Sequence, residues 1–347
     1  MKAAKHILIF MPGFPENESD DTCMPYLQTY LREASKAEYG LRFTVVSLQY
    51  PYKSDSYKWR GIPVFSCGGS NRSFPFRFYY WRKALKRISQ VHQEQSIDVI
   101  HSFWLSECTL LAQRWAGRNG VNHIATAMGQ DVLKSNRYLQ RINLQKLSMV
   151  AVSEFQNNVL KKSTGTVASD VIPWGMNELP EQATVRNIDI LGVGSLTTLK
   201  AYDSFLRVVA EVAKTHPNVQ VILIGDGPER SKLESLVRGL GIGSNVQFLG
   251  GLPHKEVLNH MQRAKVLLHT STYESQGFVF NEAHACGMSI VSTQVGLAKE
   301  SARWIVCKTE EEIVEGIESL LPQAFETKAL IPVKETADRY RDLYCQA

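Results

Sequence analysis

The residues best suited to chemistry are two glutamates, Glu274 and Glu282, which lie eight positions apart in the segment 272–293. An apolar run before them predicts a buried parallel strand, and Gly277 followed by further apolar residues predicts a turn into a helix that ends at Gly287. Glu274 is therefore expected on the loop at the carboxyl end of the strand. Glu282 is expected inside the helix, about two turns later.

This arrangement suits a ligand that carries a phosphate between two groups rich in hydroxyls. Parallel α/β sheets bind ligands at the carboxyl ends of their strands, and the N–H groups at a helix N-terminus attract phosphate. A carboxylate on either side of that phosphate can accept hydrogen bonds from hydroxyls. A nucleotide diphosphate sugar has this layout, with a ribose on one side of its diphosphate and a hexose on the other.

Two glycine-rich turns in the second half of the chain follow predicted strands, one around Gly194 and one around Gly225 and Gly227. Each is weak evidence alone, because glycine after a strand serves a tight turn as often as a ligand. Lys200 strengthens the case, since its ammonium at a predicted helix start can neutralise a diphosphate from the side opposite Gly277. The alternative is an ordinary surface lysine, but a cation is slightly unfavourable at a helix start.

Length and composition fit a soluble protein of two domains. The chain has 347 residues, of which 44% are hydrophobic and 21% charged, and no stretch approaches the roughly 20 apolar residues of a membrane span. The N-terminal residues predict a first strand rather than a signal peptide. The six cysteines show no paired spacing and are interpreted as scattered reduced thiols of a cytoplasmic protein.

Strands alternate with helices in both halves, which predicts parallel sheets with right-handed crossovers. The predicted strands are 6–11, 43–48, 99–102, 123–127, 149–152, 171–173, 190–193, 219–224, 246–249, 266–269 and 290–292. The clearest helices are 26–36, 78–95, 202–214, 229–240, 254–263 and 333–344. The domains are predicted as 1–176 and 188–325, with a polar linker at 177–187 and a final segment, 326–347, whose helix docks an apolar stripe and crosses back to the first domain.

Charge is divided unevenly between the halves. Residues 1–170 carry a net charge of +9 and residues 171–347 a net charge of −4, and eight basic residues but no acidic one lie in the segment 58–87. Aromatic residues are interleaved with these basic residues, a pattern that binds anionic lipid headgroups or nucleic acid. The alternative is a solvated helix face beside a partly buried loop. No nucleic-acid fold signature accompanies the segment, so a membrane or acceptor contact is favoured over nucleic acid.

The stretch 192–296 resembles the donor-binding domain of the retaining glycosyltransferases with the GT-B fold, often called family 4. Four motifs agree in order and in spacing: Val193-Gly194-Ser195-Leu196 with Lys200, Ile224 to Glu229, Asn245 to Gly250, and Glu274 through Glu282 to Gly287. The resemblance implies two Rossmann-like α/β domains that face each other across a cleft. The second would bind the donor and the first the acceptor.

The resemblance also implies residue roles. Glu282 would accept hydrogen bonds from the ribose hydroxyls, and Glu274 would hold hydroxyls of the transferred sugar beside its developing positive charge. Lys200 and the backbone N–H groups of Gly277 and Phe278 would bind the diphosphate and stabilise the leaving group. Because no Asp-x-Asp metal motif is evident, no catalytic metal or other cofactor is expected.

The identity of the donor is left open. UDP and GDP donors share the same signature, and the base is expected to contact the backbone around Leu249. The glycines at 194, 225 and 227 are expected to line the donor site with Ser195, at which position the family has an arginine.

The first half resembles the family less closely. Gly13 occupies the first strand-to-helix turn, which the family places near donor phosphate and acceptor. The histidine that the family has near the reacting sugar is Met128 in this chain, so Asp131 and His101 are the remaining polar candidates for the acceptor side. A core histidine and a helix-capping aspartate are equally weighted alternatives for these two residues.

These expectations combine into retaining transfer of a glycosyl group from a nucleotide sugar to a glycan or lipid-linked acceptor. The pathway would be surface polysaccharide or glycolipid assembly at the inner face of the membrane. An epimerase or phosphorylase on the same fold, and a non-catalytic binder of nucleotide sugars, stay open. A dehydrogenase is less favoured, because neither glycine-rich turn forms Gly-x-Gly-x-x-Gly with an acid about twenty residues on.

Overall fold

The computed structural model describes residues 4–73, 75–177, 179 and 185–347. It divides into two compact units, Met1–Gly175 with Val333–Ala347, and Met176–Pro332. Phe74 of the basic segment and most of the central linker, residues 178 and 180–184, lie outside the described residues.

Within the described residues, the first unit has an eight-stranded sheet in the order β3-β4-β2-β1-β5-β6-β7-β8. Its strands are β1 Lys5–Gly13, β2 Leu41–Tyr50, β3 Asp55–Trp59, β4 Ile62–Ser66, β5 Val99–Phe103, β6 Asn122–Thr126, β7 Ser148–Ala151 and β8 Asp170–Val171. The helices are α1 Pro25–Ala34, α2 Phe76–Glu94, α3 Glu107–Asn119 and α4 Glu154–Thr164. All pairings are parallel except the antiparallel pair of β3 and β4.

The pair β3 and β4 is an edge hairpin that the sequence pattern did not predict. Arg60 and Gly61 form its turn, and both have positive φ angles of 48° and 83°, as a two-residue hairpin turn of this twist requires. The outer strand β3 is mostly exposed and therefore lacks an apolar alternation. The hairpin occupies the start of the basic segment 58–87, so only the later part of that segment forms α2.

The final helix, α10 Val333–Gln346, packs against α1 of the first unit. Its predicted apolar stripe is confirmed, because Val333, Ala337, Tyr340 and Tyr344 are all buried. The Tyr344 hydroxyl lies 2.7 Å from His101 Nδ1 and accepts a hydrogen bond from the Tyr30 hydroxyl at 3.1 Å.

Replacing Tyr344 with phenylalanine is expected to lower the free energy of unfolding by about 1–3 kcal/mol, because it leaves buried polar groups of His101 and Tyr30 unpaired. Chemical denaturation measures the loss. Tyr52→Phe is the matched control in the same unit, since Tyr52 is 68% exposed. Equal stability of the two variants would show that the hydroxyl of Tyr344 does not hold the helix.

The second unit has a six-stranded parallel sheet, counted over its described residues, in the order β11-β10-β9-β12-β13-β14. Its strands are β9 Ile188–Val193, β10 Val221–Ile224, β11 Val246–Gly250, β12 Ala264–His269, β13 Ser289–Thr293 and β14 Trp304–Cys307. Its helices are α5 Tyr202–Thr215, α6 Arg230–Leu240, α7 His254–Arg263, α8 Phe278–Ala285 and α9 Glu310–Leu320. The order reverses between β9 and β12, which is where doubly wound sheets bind ligands.

Candidate functional site

The loops that leave β9 and β12 meet at the switch point of the second sheet. The backbone N–H of Thr272 donates to the carbonyl of Leu199 at 2.8 Å, and the Thr270 hydroxyl donates to the carbonyl of Lys200 at 3.0 Å. These bonds fix the β9 loop against the β12 loop. Lys200 and Glu274, one on each loop, are thereby held at the same edge of the sheet.

Glu274 is the centre of a compact polar cluster. Its Oε1 atom accepts hydrogen bonds from the Lys200 ammonium, from Nε2 of His269 at 3.0 Å and from the Ser271 hydroxyl at 3.1 Å. The side chains of Glu274 and Lys200 are only 15% and 24% exposed. The sequence predicted the glutamate and the lysine but neither His269 nor Ser271, which lie on the strand end and the loop that precede Glu274.

The electrostatics of the cluster keep Glu274 ionised. Burial alone would raise the pKa of its carboxyl group, but the contacts with His269 and Lys200 outweigh it and lower the pKa to about 2. Burial lowers the pKa of His269 despite the nearby carboxylate, so its ring is neutral at pH 7 and donates from Nε2. The cluster therefore holds an ionised carboxylate in contact with the Lys200 side chain.

The two glycine-rich turns touch each other so closely that side chains would not fit. A Cβ atom at Gly225 would lie 1.9 Å from the carbonyl oxygen of Gly194, and one at Gly227 would lie 2.4 Å from that of Leu196. Gly194 and Gly225 also have φ angles of 150° and 139°, which favour glycine. These glycines thus serve the packing of the turns, and the room above Gly194 is used by Lys200 and Tyr202.

Helix α8 begins directly after the β12 loop. Gly277 precedes it with a φ of 75°, and a Cβ atom there would lie 2.5 Å from the Phe280 ring. The loop after β13 supports this turn, because Leu297 N–H donates to the carbonyl of Gln276 at 2.9 Å. The start of α8, at Phe278, therefore has a fixed position at the switch point, as a phosphate seat requires.

Glu282 lies inside α8 and is buried, with 5% exposure. Its Oε1 atom is 2.8 Å from Nε2 of His254, the first residue of α7. His254 follows the loop that leaves β11, so Glu282 lies beside the segment after Leu249 where the nucleobase was expected. The two glutamates consequently face different neighbours: the Lys200 cluster for Glu274 and the β11 loop for Glu282.

Ser195, which stands in place of the family's arginine, is exposed. A cation that the sequence did not single out, Arg230, lies nearby at the start of α6. Its guanidinium lies over the Phe248 ring at 5.8 Å and within 3.3 Å of the position that a Cβ atom on Gly250 would take. Glu234 binds it at 2.8 Å. Arg230 is therefore a second positive group on the β11 side of this edge.

Of the two alternatives left open for His101, the structure favours the core histidine. Its ring is completely buried in the first unit and lies 2.8 Å from the hydroxyl of Thr126 and 2.7 Å from that of Tyr344. Burial lowers its pKa well below the ordinary value. His101 is a core histidine that helps hold α10, because two hydroxyls already occupy both ring nitrogens.

Asp131 is also held by protein groups. One carboxylate oxygen accepts the N–H of Leu105 at 2.7 Å and the other accepts that of Gly129 at 2.7 Å, with Met128 N–H at 3.2 Å. Burial raises its pKa, although these hydrogen bonds oppose the rise. The residue therefore joins the loops after β5 and β6 instead of capping the turn that follows it.

That junction contains a residue which the sequence reasoning missed. Trp104, next to Leu105, has a φ of 65°, an uncommon and strained conformation for a bulky side chain. It is half-buried at the carboxyl edge of the first sheet. Gly13 ends β1 at the same edge, where a Cβ atom would lie 3.3 Å from Cβ of Tyr50. The only sequence signal for Trp104 was a tryptophan at a strand end.

The described residues contain neither a metal-binding cluster nor a helix suited to span a membrane. No group of three or more histidine, cysteine, aspartate or glutamate side chains in the described ranges is placed to hold a metal ion. None of the helices in the same ranges combines the length and apolar character that crossing a membrane requires.

A family comparison decides what the second unit is. The model described as "Glycosyl transferases group 1" matches residues 180–331, which include the loops at the switch point of the second sheet. Residues 180–331 are a group 1 glycosyl transferase domain. The sequence resemblance is confirmed at this level.

Individual relatives agree with the group 1 assignment. The GPI3 subunit of phosphatidylinositol N-acetylglucosaminyltransferase from Saccharomyces cerevisiae is 29% identical over 156 residues, which are 44% of this chain and 34% of that protein. D-inositol 3-phosphate glycosyltransferase from Corynebacterium jeikeium is 35% identical over 242 residues, 58% of this chain and 57% of that protein. The match thus spans about a third of the first relative and just over half of the second.

Solved structures similar to this chain extend beyond the group 1 domain. Sucrose-phosphate synthase from Thermosynechococcus elongatus has a TM-score of 0.67 at 19% identity and covers 98% of this chain and 95% of its own. Anabaena HepE in complex with UDP and glucose has a TM-score of 0.65 at 15% identity, covering 97% and 95%. The chain has the GT-B fold, as predicted, with a parallel-sheet domain in each half.

Proposed function

We propose that the chain transfers a glycosyl group from a nucleotide diphosphate sugar to an acceptor hydroxyl, with retention of the anomeric configuration. The group 1 domain supplies the donor site at its switch point. The sugar end of the donor lies at Glu274, the diphosphate between Lys200 and the start of α8, and the ribose end at Glu282.

One observation carries this proposal. All three hydrogen bonds to the Glu274 carboxylate arrive at Oε1, so its Oε2 atom accepts none from the residues that the structure describes. That oxygen reaches solvent instead of being sealed in the core, so an ionised acceptor at the rim of a mostly buried site is open to a ligand that donates hydrogen bonds. A sugar hydroxyl is such a ligand, because it donates one hydrogen bond and leaves the carboxylate charge in place.

The diphosphate is expected to bind through Lys200 and the α8 N-terminus. An ammonium group has three N–H donors, and the contact with Glu274 uses only one of them. The other two can serve phosphate oxygens while the ion pair with Glu274 persists. The N–H groups at the start of α8, after Gly277, add the positive end of the helix dipole.

The reaction step balances without a protein base. The bond between the sugar's anomeric carbon and the β-phosphate oxygen breaks, and the acceptor oxygen bonds to that carbon on the same face. The acceptor's proton passes to the leaving phosphate oxygen. Lys200 stabilises the negative charge that develops on the diphosphate, and Glu274 the positive charge on the sugar ring. Met128 therefore removes no required proton acceptor.

The acceptor side belongs to the first unit, where Trp104 is the first candidate for contact with the acceptor. The relatives whose names include phosphatidylinositol and inositol 3-phosphate favour inositol lipids and inositol phosphates as the first acceptors to test, as members of the wider class of glycolipid and polysaccharide precursors. Donors to test first are UDP- and GDP-linked sugars, including the N-acetylglucosamine named in one of those relatives.

The function is tested by incubating the protein with each donor and acceptor and following nucleoside diphosphate release by mass spectrometry. Release that depends on an acceptor, with a retained anomeric configuration in the product by NMR, is the expected result. Conversion of the donor without any acceptor would favour an epimerase. Binding without turnover across all acceptors would favour a non-catalytic binder.

Glu282 provides a separate prediction about the ribose end. Glu282→Gln is expected to weaken donor binding about 10- to 100-fold, because a charged acceptor of hydroxyl hydrogen bonds is worth about 1.5–3 kcal/mol. Isothermal titration calorimetry with the preferred donor measures the change. Glu315→Gln, at an exposed position of α9, is the control, and equal affinity in the two variants would remove Glu282 from the donor site.

A further inference from the structure

We propose that the outer face of α2, together with the groove between α2 and α3, docks on an anionic membrane surface. The outer face is defined by Phe76, Phe78, Tyr79, Arg82 and Lys86. This inference concerns the first unit and does not depend on the donor site.

The inward face of α2 packs in the hydrophobic core of the first unit. Ala84, Ile88 and Val91 are buried in the core of the first unit at helical spacing. Tyr79, Arg82 and Lys86 also follow helical spacing and, at 100° per residue, fall on the opposite side of the helix. The inner side of α2 therefore supplies its contacts with the core, and packing of the core does not explain the residue types on the outer side.

Exposed aromatic side chains gather at the N-terminal end of α2. Phe76, Phe78 and Tyr79 are 59%, 47% and 63% exposed. Phe78 makes an edge contact with Trp81 at 5.2 Å, and Tyr79 makes one with Tyr80 at 5.2 Å. Aromatic residues next to basic ones are typical of helices that lie at the boundary between water and lipid.

Basic side chains line a groove beside these aromatic residues. A groove of about 540 Å³ between α2 and α3 is lined by four basic side chains, Arg82, Lys86, Arg114 and Arg118, and by aromatic residues that include Trp81 and Trp115. None of the four basic groups makes an ion pair with any residue in the described ranges.

The acidic group that contacts Trp81 of the groove does not neutralise this surface. Glu107, the first residue of α3, is buried at 8% exposure. Its carboxylate accepts hydrogen bonds from Gln49 and from Trp81 Nε1 at 2.6 Å, with Arg77 Nε at 3.7 Å. Arg82 and its neighbours therefore present positive charge to the solvent beside an aromatic edge.

This combination fits an anionic bilayer better than a protein partner. Each Lys or Arg near an anionic bilayer contributes about 1 kcal/mol of attraction, and long basic side chains keep their charge at the headgroups while aromatic rings enter the boundary. The cytoplasmic leaflet is the anionic one in cells. The surface thus supports the location at the inner membrane face that the sequence suggested.

Co-sedimentation of the full chain with vesicles tests the proposal. Vesicles of phosphatidylcholine alone are compared with vesicles that contain one third phosphatidylglycerol. The chain is expected to bind the anionic vesicles and to be released at high salt, because exposed charges are screened. Equal binding to both kinds of vesicle, or binding to neither, would overturn the proposal.

Paired substitutions locate the surface. Arg82→Gln with Lys86→Gln is expected to reduce partition onto anionic vesicles about 30-fold, and Phe76→Ser with Tyr79→Ser about tenfold. The controls in the same unit are Lys161→Gln with Lys162→Gln on α4, which changes the net charge equally at exposed positions, and Val167→Ser, at a residue 52% exposed.

The controls decide between a specific surface and general charge. Losses confined to the α2 variants, with thermal unfolding midpoints unchanged, support docking through this face. Losses of equal size in the α4 variant would show that net charge alone drives binding, and the proposed surface would be wrong.

Discussion

Glu274→Gln is expected to lower kcat by about 10³-fold while changing donor affinity by less than about threefold. The amide keeps the shape of the side chain and an oxygen that accepts hydrogen bonds from sugar hydroxyls. It removes the negative charge, which matters most when positive charge develops on the sugar ring in the transition state. Steady-state kinetics and donor titration of the same variant separate the two quantities.

The same variant carries a pH signature. Because the pKa of Glu274 is lowered from 4.5 to about 2 in the folded chain, its ionised form contributes stability that is fully present above about pH 4.5. That contribution, at most about 3 kcal/mol, is lost as the pH falls through about 2. The difference in unfolding free energy between wild type and Glu274→Gln is therefore expected to shrink as the pH falls from about 5 to about 2.

Two outcomes would contradict this role for Glu274. A kcat within about threefold of wild type would remove the charge from the mechanism. A fall in donor affinity with an unchanged kcat would make Glu274 a residue that binds ground state and transition state alike. Glu315→Gln serves as the control for the substitution itself.

Lys200→Met is expected to lower kcat/KM for the donor by about 10³-fold, with losses in both affinity and kcat. Methionine keeps the length of the side chain but removes the charge that faces the diphosphate before and during its departure. It also leaves Glu274 without its ion-pair partner in a nearly buried position, so a fall in stability accompanies the loss of activity.

Lys214→Met on α5 is the matched control for this substitution. Lys214 also makes an ion pair, with Glu211 at 2.6 Å, but both side chains are more than half exposed, and exposed pairs contribute little. The control is expected to keep wild-type kinetics. Unchanged donor affinity in Lys200→Met would contradict the assignment of Lys200 to the diphosphate.

The donor half of the molecule was predictable because its signals are local. Apolar runs of strand length, glycines at the turns and helical periodicity lie next to one another in sequence, so β9 to β13 and α5 to α8 were predicted within a few residues, whereas β14 and α9 were not predicted. Glu274, Gly277 and Glu282 follow one strand in succession, which fixes their places once that strand is assigned. That Lys200 and Glu274 lie at the same edge of the sheet followed from the assumption of parallel strands, whereas their direct ion pair was not predicted.

What was missed depends on distant contacts. His101 was left undecided because its partners, Thr126 and Tyr344, lie 25 and 243 residues away in sequence. Asp131 binds a backbone group of Leu105, 26 residues earlier, which no pattern around Asp131 reports. The hairpin of β3 and β4 was overlooked because an exposed edge strand has no apolar alternation to reveal it.

The group 1 domain is most directly tested by titrating the folded chain with nucleotide diphosphate sugars and following thermal unfolding. At least one UDP- or GDP-linked sugar is expected to stabilise the chain, by about 2.7 kcal/mol at a hundredfold its dissociation constant. Lys200→Met and Glu282→Gln are each expected to lose about half of this stabilisation or more at the same ligand concentration. Failure of every nucleotide sugar to stabilise the wild-type chain, or equal stabilisation of both variants, would contradict the donor site described for this protein.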